Sequence, residues 1–145
     1  MNQANNLNIY QKLATCQAQI GRVAKKELNK FQNYQYFTEY QILIILKPLL
    51  AEQKLTLTFS DSEELSEWEK ETGKGGREWV IKYKKLAIFT NPEKPEEQLT
   101  FNFWALGQNS DIAKAKGSAD TYAIKYFLSK FFLIPTTDNL DPDQK

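Results

Sequence analysis

The sequence predicts an α+β fold: helices packed on a three-stranded antiparallel β-meander, followed by a long helix. Three observations predict it. An apolar stripe recurs at helical spacing near the N-terminus, three short central segments alternate at period two, and a helical run near the C-terminus stops at Pro135. The predicted order is α, α, β, β, β, α, with no internal repeat. At 145 residues one domain is expected over 1–134, with 135–145 as an acidic tail that composition reads as disordered.

Each element has its own signal. Ile9, Leu13, Cys16, Ile20 and Val23 recur at spacings of four and three, which predicts a helix over residues 6–28 capped by Asn5 or Asn6. The stripe is too short for a coiled coil, so it should pack inside the domain or on a neighbouring subunit. Thr38 and Gln41 make a capping box for a second helix with Ile42, Ile45, Leu46, Leu49 and Leu50 on its apolar face, and Pro48 should kink or restart it. The strands are Leu55–Phe59, Trp79–Tyr83 and Leu99–Phe103. An acidic insert ending in Gly73–Gly76 separates the first two strands and reads as a flexible hairpin end, its own structure left open. A turn around Asn91–Pro95 separates the last two. The last helix is predicted from Ser118 to Phe132, offering Ala119, Tyr122, Ala123, Tyr126, Phe127 and Phe131 for packing.

Composition excludes several chemistries. The chain has no histidine, which removes the usual general base, the usual zinc ligand and any Ser–His or Cys–His nucleophile pair. Cys16 lies on the apolar stripe and reads as a buried structural thiol. No signal peptide or membrane-length apolar run is present, so a cytoplasmic protein without membrane contact is expected. The net charge of +1 conceals a division. Positions 1–60 hold seven basic residues against three acidic ones, while 61–72 hold six acids and one lysine. The Gly73–Gly76 run lacks the spacing of a phosphate loop.

The run Ala115-Lys116-Gly117-Ser118-Ala119-Asp120-Thr121-Tyr122-Ala123-Ile124-Lys125-Tyr126-Phe127-Leu128, followed by the tail aspartates Asp138, Asp141 and Asp143, resembles the signature of the ERF (essential recombination function) family. Phe37–Tyr40 and Lys47–Leu55 resemble two further regions of that family. The sequence departs from the pattern at Lys125, where arginine is more usual, at Lys54, near a frequent glycine, and in the acidic insert after Phe59. The resemblance implies a single-strand annealing protein of phage recombination, not an enzyme. It would act in the bacterial host cytoplasm, as a homo-oligomeric ring or filament, on single-stranded DNA and the annealed duplex intermediate. It also implies a three-stranded sheet against a long helix. A host single-stranded-DNA-binding protein is a further partner to consider, through the C-terminal region. No cofactor is expected; a divalent cation such as Mg²⁺ is the one small ion left open, and no metal site is assigned.

Annealing calls for lysine, arginine and stacking aromatics rather than bond-breaking groups. The first candidate group is Arg77, Lys82, Lys84 and Lys85, with Lys82 and Lys84 on one strand face and Trp79 and Tyr83 on the other; an ordinary half-buried sheet face explains the alternation equally well. The second is Lys114, Lys116 and Gly117 at the expected start of the last helix, where free N–H groups would seat a phosphate, or where Ser118 simply caps. The resemblance adds Thr121, Tyr122 and Lys125. The third is Arg22, Lys25, Lys26 and Lys30 with Tyr36, in which the cations also suit a helix C-terminus. Two other classes compete: a double-stranded RNA-binding module of αβββα type, and a metal-dependent nuclease using Glu39 and the tail aspartates.

Overall fold

Six elements follow in the expected order in the computed structural model, which describes residues 7–30 and 37–134. They are helices α1 (Ile9–Lys30) and α2 (Glu39–Glu52), strands β1 (Thr56–Glu71), β2 (Arg77–Thr90) and β3 (Gln98–Asn109), and helix α3 (Ile112–Phe131). The sheet runs β1-β2-β3 with antiparallel neighbours, which confirms the α+β meander and its closing helix.

The N-terminal stripe forms core within the chain. Ile9, Leu13, Cys16 and Ile20 are buried, Ala24 extends the stripe, and Val23 packs against it. Each large aliphatic residue removed from water contributes ~1.5–3 kcal/mol. The cap is Asn8: its Oδ1 accepts from the Gln11 N–H at 2.9 Å, while Gln11 Oε1 accepts from the Asn8 N–H at 2.9 Å. Asn5 and Asn6 lie outside the described residues. Lys12 is fully buried, and its Nζ donates to Asn91 Oδ1 and to Glu93 Oε1, each at 2.7 Å. Asn91 Nδ2 donates in turn to Glu97 Oε1 at 2.8 Å, which also accepts from the Ile9 N–H at 3.2 Å. The β2–β3 turn thereby grips the start of α1, and the Lys12 hydrogen bond holds the Glu93 carboxyl below its ordinary range.

The capping box of α2 is present, with Thr38 Oγ1 accepting from the Gln41 N–H at 3.1 Å and Gln41 Oε1 from the Thr38 N–H at 2.9 Å. Ile42, Ile45, Leu46 and Leu49 are buried and Leu50 is half-buried. Pro48 does not restart the helix, which runs on to Glu52. Proline has no N–H for the Ile44 carbonyl, but Ile44 and Pro48 lie on the exposed side, where water can serve it. At the helix end Lys54 takes a left-handed φ of 54°, the Leu55 N–H donates to the Leu50 carbonyl at 2.9 Å and the Lys54 N–H to that of Ala51 at 3.1 Å. This is a Schellman closure, whose left-handed position favours glycine; the chain holds Lys54 there instead.

All three strands outrun their predicted lengths. The acidic insert is neither helix nor loop: β1 continues through it to Glu71, paired with Arg77–Tyr83 of β2 after a register shift between Asp61 and Leu65. Acidic residues are poor strand formers, so pairing with β2, not local propensity, sets this conformation. Gly73–Gly76 form the hairpin tip, with Gly75 at φ 81°.

Helix α3 begins at Ile112, six residues before the predicted start. Asp111 is its N-cap, accepting from the Ala113 N–H at 2.8 Å. Gly117 had suggested a boundary, yet it lies exposed inside the helix with open space where a side chain would stand; a helix tolerates one such glycine at ~1 kcal/mol. The small residues Ala115, Ala119 and Ala123 are buried against the sheet. A Cβ on Gly107 of β3 would come within 2.9 Å of Ala119 Cβ and closer still to the Ala115 carbonyl oxygen, so helix and strand touch backbone to backbone there. Below it Phe89, Phe101, Phe103, Phe127, Phe131 and Phe132 interlock, with Phe103 stacked on Phe127 at 4.5 Å.

Gly107→Ala should therefore cost ~3 kcal/mol or more, since the obstacle is backbone and cannot swing aside; denaturant unfolding would measure it, and a loss below ~1 kcal/mol would contradict the helix placement. Leu133 closes α3 at φ 53° with its side chain in solvent. Leu133→Gly should stabilise the protein by ~1 kcal/mol in the same measurement, because it relieves a left-handed leucine and exposes nothing.

Candidate nucleic-acid interface

Strand alternation gives the sheet two unlike faces. One carries Leu57, Phe59, Phe89, Leu99 and Phe101 and receives the three helices. By register the other carries Thr56, Thr58 and Ser60 from β1, Lys82, Lys84, Leu86 and Ile88 from β2, and Thr100, Asn102, Trp104 and Leu106 from β3, each exposed or half-exposed, while Val80 nearer the hairpin tip is buried. On this open face Lys82 Nζ stands 4.8 Å and Lys84 Nζ 5.1 Å from the centre of the Trp104 ring. Lys84 also reaches Glu64 at 3.3 Å. Exposed cation–π contacts are worth ~0.5–1 kcal/mol and surface ion pairs no more, so both ammonium groups can exchange these partners for a phosphate at little cost.

Lys85, one residue on, points to the helix face and is spent. Its Nζ, almost fully buried, lies 2.6 Å from Asp61 Oδ1 and 3.0 Å from Asp120 Oδ1. Lys116 completes the square, 2.9 Å from Asp61 Oδ2 and 3.1 Å from Asp120 Oδ2. The Tyr83 hydroxyl donates to Asp120, and Lys116 Nζ sits 4.5 Å over the Tyr83 ring. Burial alone would push the Asp61 and Asp120 carboxyls up, but the hydrogen bonds they accept outweigh it and hold both below their ordinary range. Burial would lower the Lys116 ammonium, yet its two carboxylate partners raise it. Burial and then the Asp120 hydrogen bond raise the Tyr83 phenol. Neighbouring Glu39 is raised by burial and then by the Asp120 charge. The network binds β1, β2 and α3 together.

The outer surface of α3 offers two depressions. One of about 380 Å³ is lined by Thr38, Glu39, Gly117, Ser118, Thr121, Tyr122 and Lys125. The other, about 720 Å³, lies between α3 and the β3 edge, lined in part by Trp104, Leu106, Tyr122, Tyr126 and Lys130. Tyr122 and Tyr126 stack at 6.4 Å, and Lys125 Nζ lies 5.8 Å and 5.1 Å from their rings.

The structure thus separates residues that the sequence grouped. Lys82 and Lys84 meet on the open face; Lys85 and Lys116 meet in the ion network; Gly117, Thr121, Tyr122 and Lys125 share the smaller depression. Lys114 is exposed in the first turn of α3. The expected helix N-terminus at Gly117 and Ser118 does not exist, because Asp111 starts the helix earlier, so that phosphate seat is withdrawn. Arg77 pairs with Glu69 at 3.1 Å near the hairpin tip. Arg22 and Lys26 are exposed on α1, across the sheet from Lys82. The side chains of Lys25 and Lys30, all of Tyr36 and the tail aspartates lie outside the described residues. Sequence reasoning missed Trp104, although its place two residues after Asn102 on an alternating strand was a usable signal, and it missed Asp61 and Asp120 as partners of the lysines. Among the described residues no group of His, Cys, Asp or Glu is placed to hold a metal ion, and no helix is long and apolar enough to cross a membrane.

Residues 9–145 match the family model described as the ERF superfamily. No curated protein and no solved structure matches the chain.

Two neighbouring lysines should therefore behave oppositely. Lys85→Ala removes the buried corner and leaves both carboxylates to Lys116 alone, so it should cost ~2 kcal/mol of stability, whereas Lys82→Ala should stay within ~0.5 kcal/mol. Because the folded-state values of Asp61 and Asp120 are depressed, their contribution is complete above the ordinary 3.8 and is lost as pH falls below it. Melting temperatures measured down an acid series should drop in that window, and less steeply in Asp120→Asn.

Proposed function

The chain belongs to the ERF superfamily, whose members are recombination proteins that anneal single strands, and from that premise we propose that it binds single-stranded DNA without sequence preference on its open sheet face and anneals complements as a homo-oligomeric ring or filament. The observation that carries the reading is the Lys82–Trp104–Lys84 cluster on a helix-free face that also carries Thr, Ser and Asn side chains beside Leu86, Ile88 and Leu106. An annealing protein must neutralise phosphate, hold bases without choosing among them, and let the duplex go. Lysines held by weak contacts meet the first and last needs. An exposed indole meets the second, since every base has a π-face. The hydroxyls both donate and accept, so they bond to sugar or base edges without selecting one.

The smaller depression on α3 is the weaker candidate. Lys125 and Tyr122 suit a nucleotide, but Glu39 lines it and Asp120 lies beside it, which disfavours phosphate. Lys85 and Lys116 stay outside the proposed interface because moving either would break the network.

Annealing of two complementary labelled oligonucleotides over a salt series, with a non-complementary control, tests the proposal. Duplex formation should accelerate, and salt should suppress the acceleration. Lys82→Ala combined with Lys84→Ala should reduce the salt slope of binding by ~1.4, at ~0.7 per lost phosphate contact. Trp104→Ala should weaken binding by ~1–3 kcal/mol and leave that slope unchanged. An absence of acceleration together with tight binding of duplex RNA would replace annealing with the αβββα duplex-RNA reading, and cleavage of labelled strands in Mg²⁺ would replace it with a nuclease.

A further inference from the structure

We propose that the subunits join through their sheets, with β1 of one copy added to the free edge of β3 of the next; this rests on the homo-oligomer reading above. The sheet has two outer strands, β1 and β3. Strand β3 spans 12 residues with no charged residue, no proline and no register shift against β2. Natural sheet edges are usually blunted by one of those devices, so an edge without them is fitted for a strand partner. Along its flank runs the larger groove, apolar apart from Lys130, with Lys125 beside Tyr126.

The other edge is its complement. Leu65 and Trp68 stand 50% and 44% exposed on the β1 arm, among Glu63, Glu64, Glu67, Glu69 and Glu71. Two β1 arms would repel each other through these acids. Against β3 and α3 they meet an uncharged strand and the lysines of the helix, while Leu65 and Trp68 supply apolar groups for an apolar groove. Orientation agrees with charge. Both outer strands run antiparallel to β2, so they are parallel to each other, and a copy added edge to edge keeps the sheet the same way up. Leu65 pairs with Tyr83 and so faces the helix side, toward Tyr122 and Tyr126 of the neighbour; Trp68 pairs with Val80, itself opposite Gln108, and faces the open side, toward Leu106 and clear of Trp104. The contact joins different surfaces of identical chains, which closes into a ring or continues as a helical filament, not a two-fold dimer.

Cysteine cross-linking of the full chain reads the contact directly. Cys16 is buried with its thiol pushed up to about 11 by burial, so it does not compete for a maleimide. With a short bismaleimide, a mixture of the Leu65→Cys and Tyr126→Cys proteins should give dimers that neither gives alone, and the double variant should give a ladder. Leu65→Asp and Leu106→Asp, both at exposed positions, should each reduce the mass found by light scattering to that of one chain with the circular dichroism unchanged. Tyr126→Cys cross-linking to itself would establish a two-fold β3–β3 contact and overturn the proposal. Oligomers that persist in both aspartate variants and give no mixed cross-link would overturn the interface while leaving oligomerisation standing. A wild-type chain that stays monomeric at every concentration would remove both. Single-stranded DNA that shields Tyr126→Cys from maleimide in a monomer would assign the groove to DNA instead.

Discussion

A square of two lysines and two aspartates, Lys85 and Lys116 with Asp61 and Asp120, fixes how the last helix lies on the sheet. Its corners come from β1, β2 and α3, so it ties the three elements at one point. Asp61 is the last paired residue before the register of β1 shifts, and its engagement sets where the acidic arm departs from the domain. Lys116 and Asp120 point one flank of α3 at β1 and β2, which turns Tyr122 and Tyr126 toward the β3 edge and seats Ala115 and Ala119 on Gly107. Apolar packing alone would hold the helix without fixing its rotation, because the phenylalanine cluster lies under its C-terminal half. Charged groups add to the rotation, since Lys85 is almost fully buried and must find Asp61 and Asp120 or remain unpaired.

The same square decides which basic residues are available. Formal charge makes Lys82, Lys84, Lys85 and Lys116 alike, whereas their partners do not. Two are each held by a pair of carboxylates, Lys85 almost fully buried and Lys116 about a third exposed, and two rest against an exposed ring. Lys85 would leave its partners at a cost of a few kcal/mol and Lys116 at less, against under ~1 kcal/mol for Lys82 and Lys84, which is why the proposed interface rests on the second pair. The best-conformed part of the signature run accordingly reads as architecture at Ala115, Lys116, Ala119, Asp120 and Ala123, and leaves Thr121, Tyr122 and Lys125 on the surface.

Much of this was legible in the sequence. The α1 stripe, the Thr38 capping box, the three strands and the terminal helix all carry short-range signals of period or capping, and these elements form where those signals stand. What was not legible depends on partners far along the chain. The acidic arm is a strand because β2 pairs with it, and Gly117 lies inside a helix because its outer side is open and its neighbours Ala115 and Ala119 fit Gly107. Nothing at short range marks Lys12 for burial, yet Asn91 and Glu93, some eighty positions away, hold it there. The candidate site was half visible: alternation put Lys82 and Lys84 on one face, but only strand register could bring Trp104 between them.

Weak individual contacts on the open face suit a protein whose contacts repeat. On the proposed reading a lysine pair and one indole would offer a strand only a few kcal/mol per subunit, too little for stable capture and little enough to surrender when a complement pairs. Repetition along a strand multiplies such contacts through effective concentration while each remains exchangeable. Edge-to-edge joining of the sheets would align the Lys82–Trp104–Lys84 clusters of successive copies into a single track, because the helices all lie on the opposite face. The acidic arm would then have two uses in one place: pairing with the neighbour's strand, and keeping like edges apart. In that arrangement a chain of near-zero net charge would present exchangeable lysines on the face left open, while Glu63, Glu64, Glu67, Glu69 and Glu71 sit on an arm that neighbours would cover.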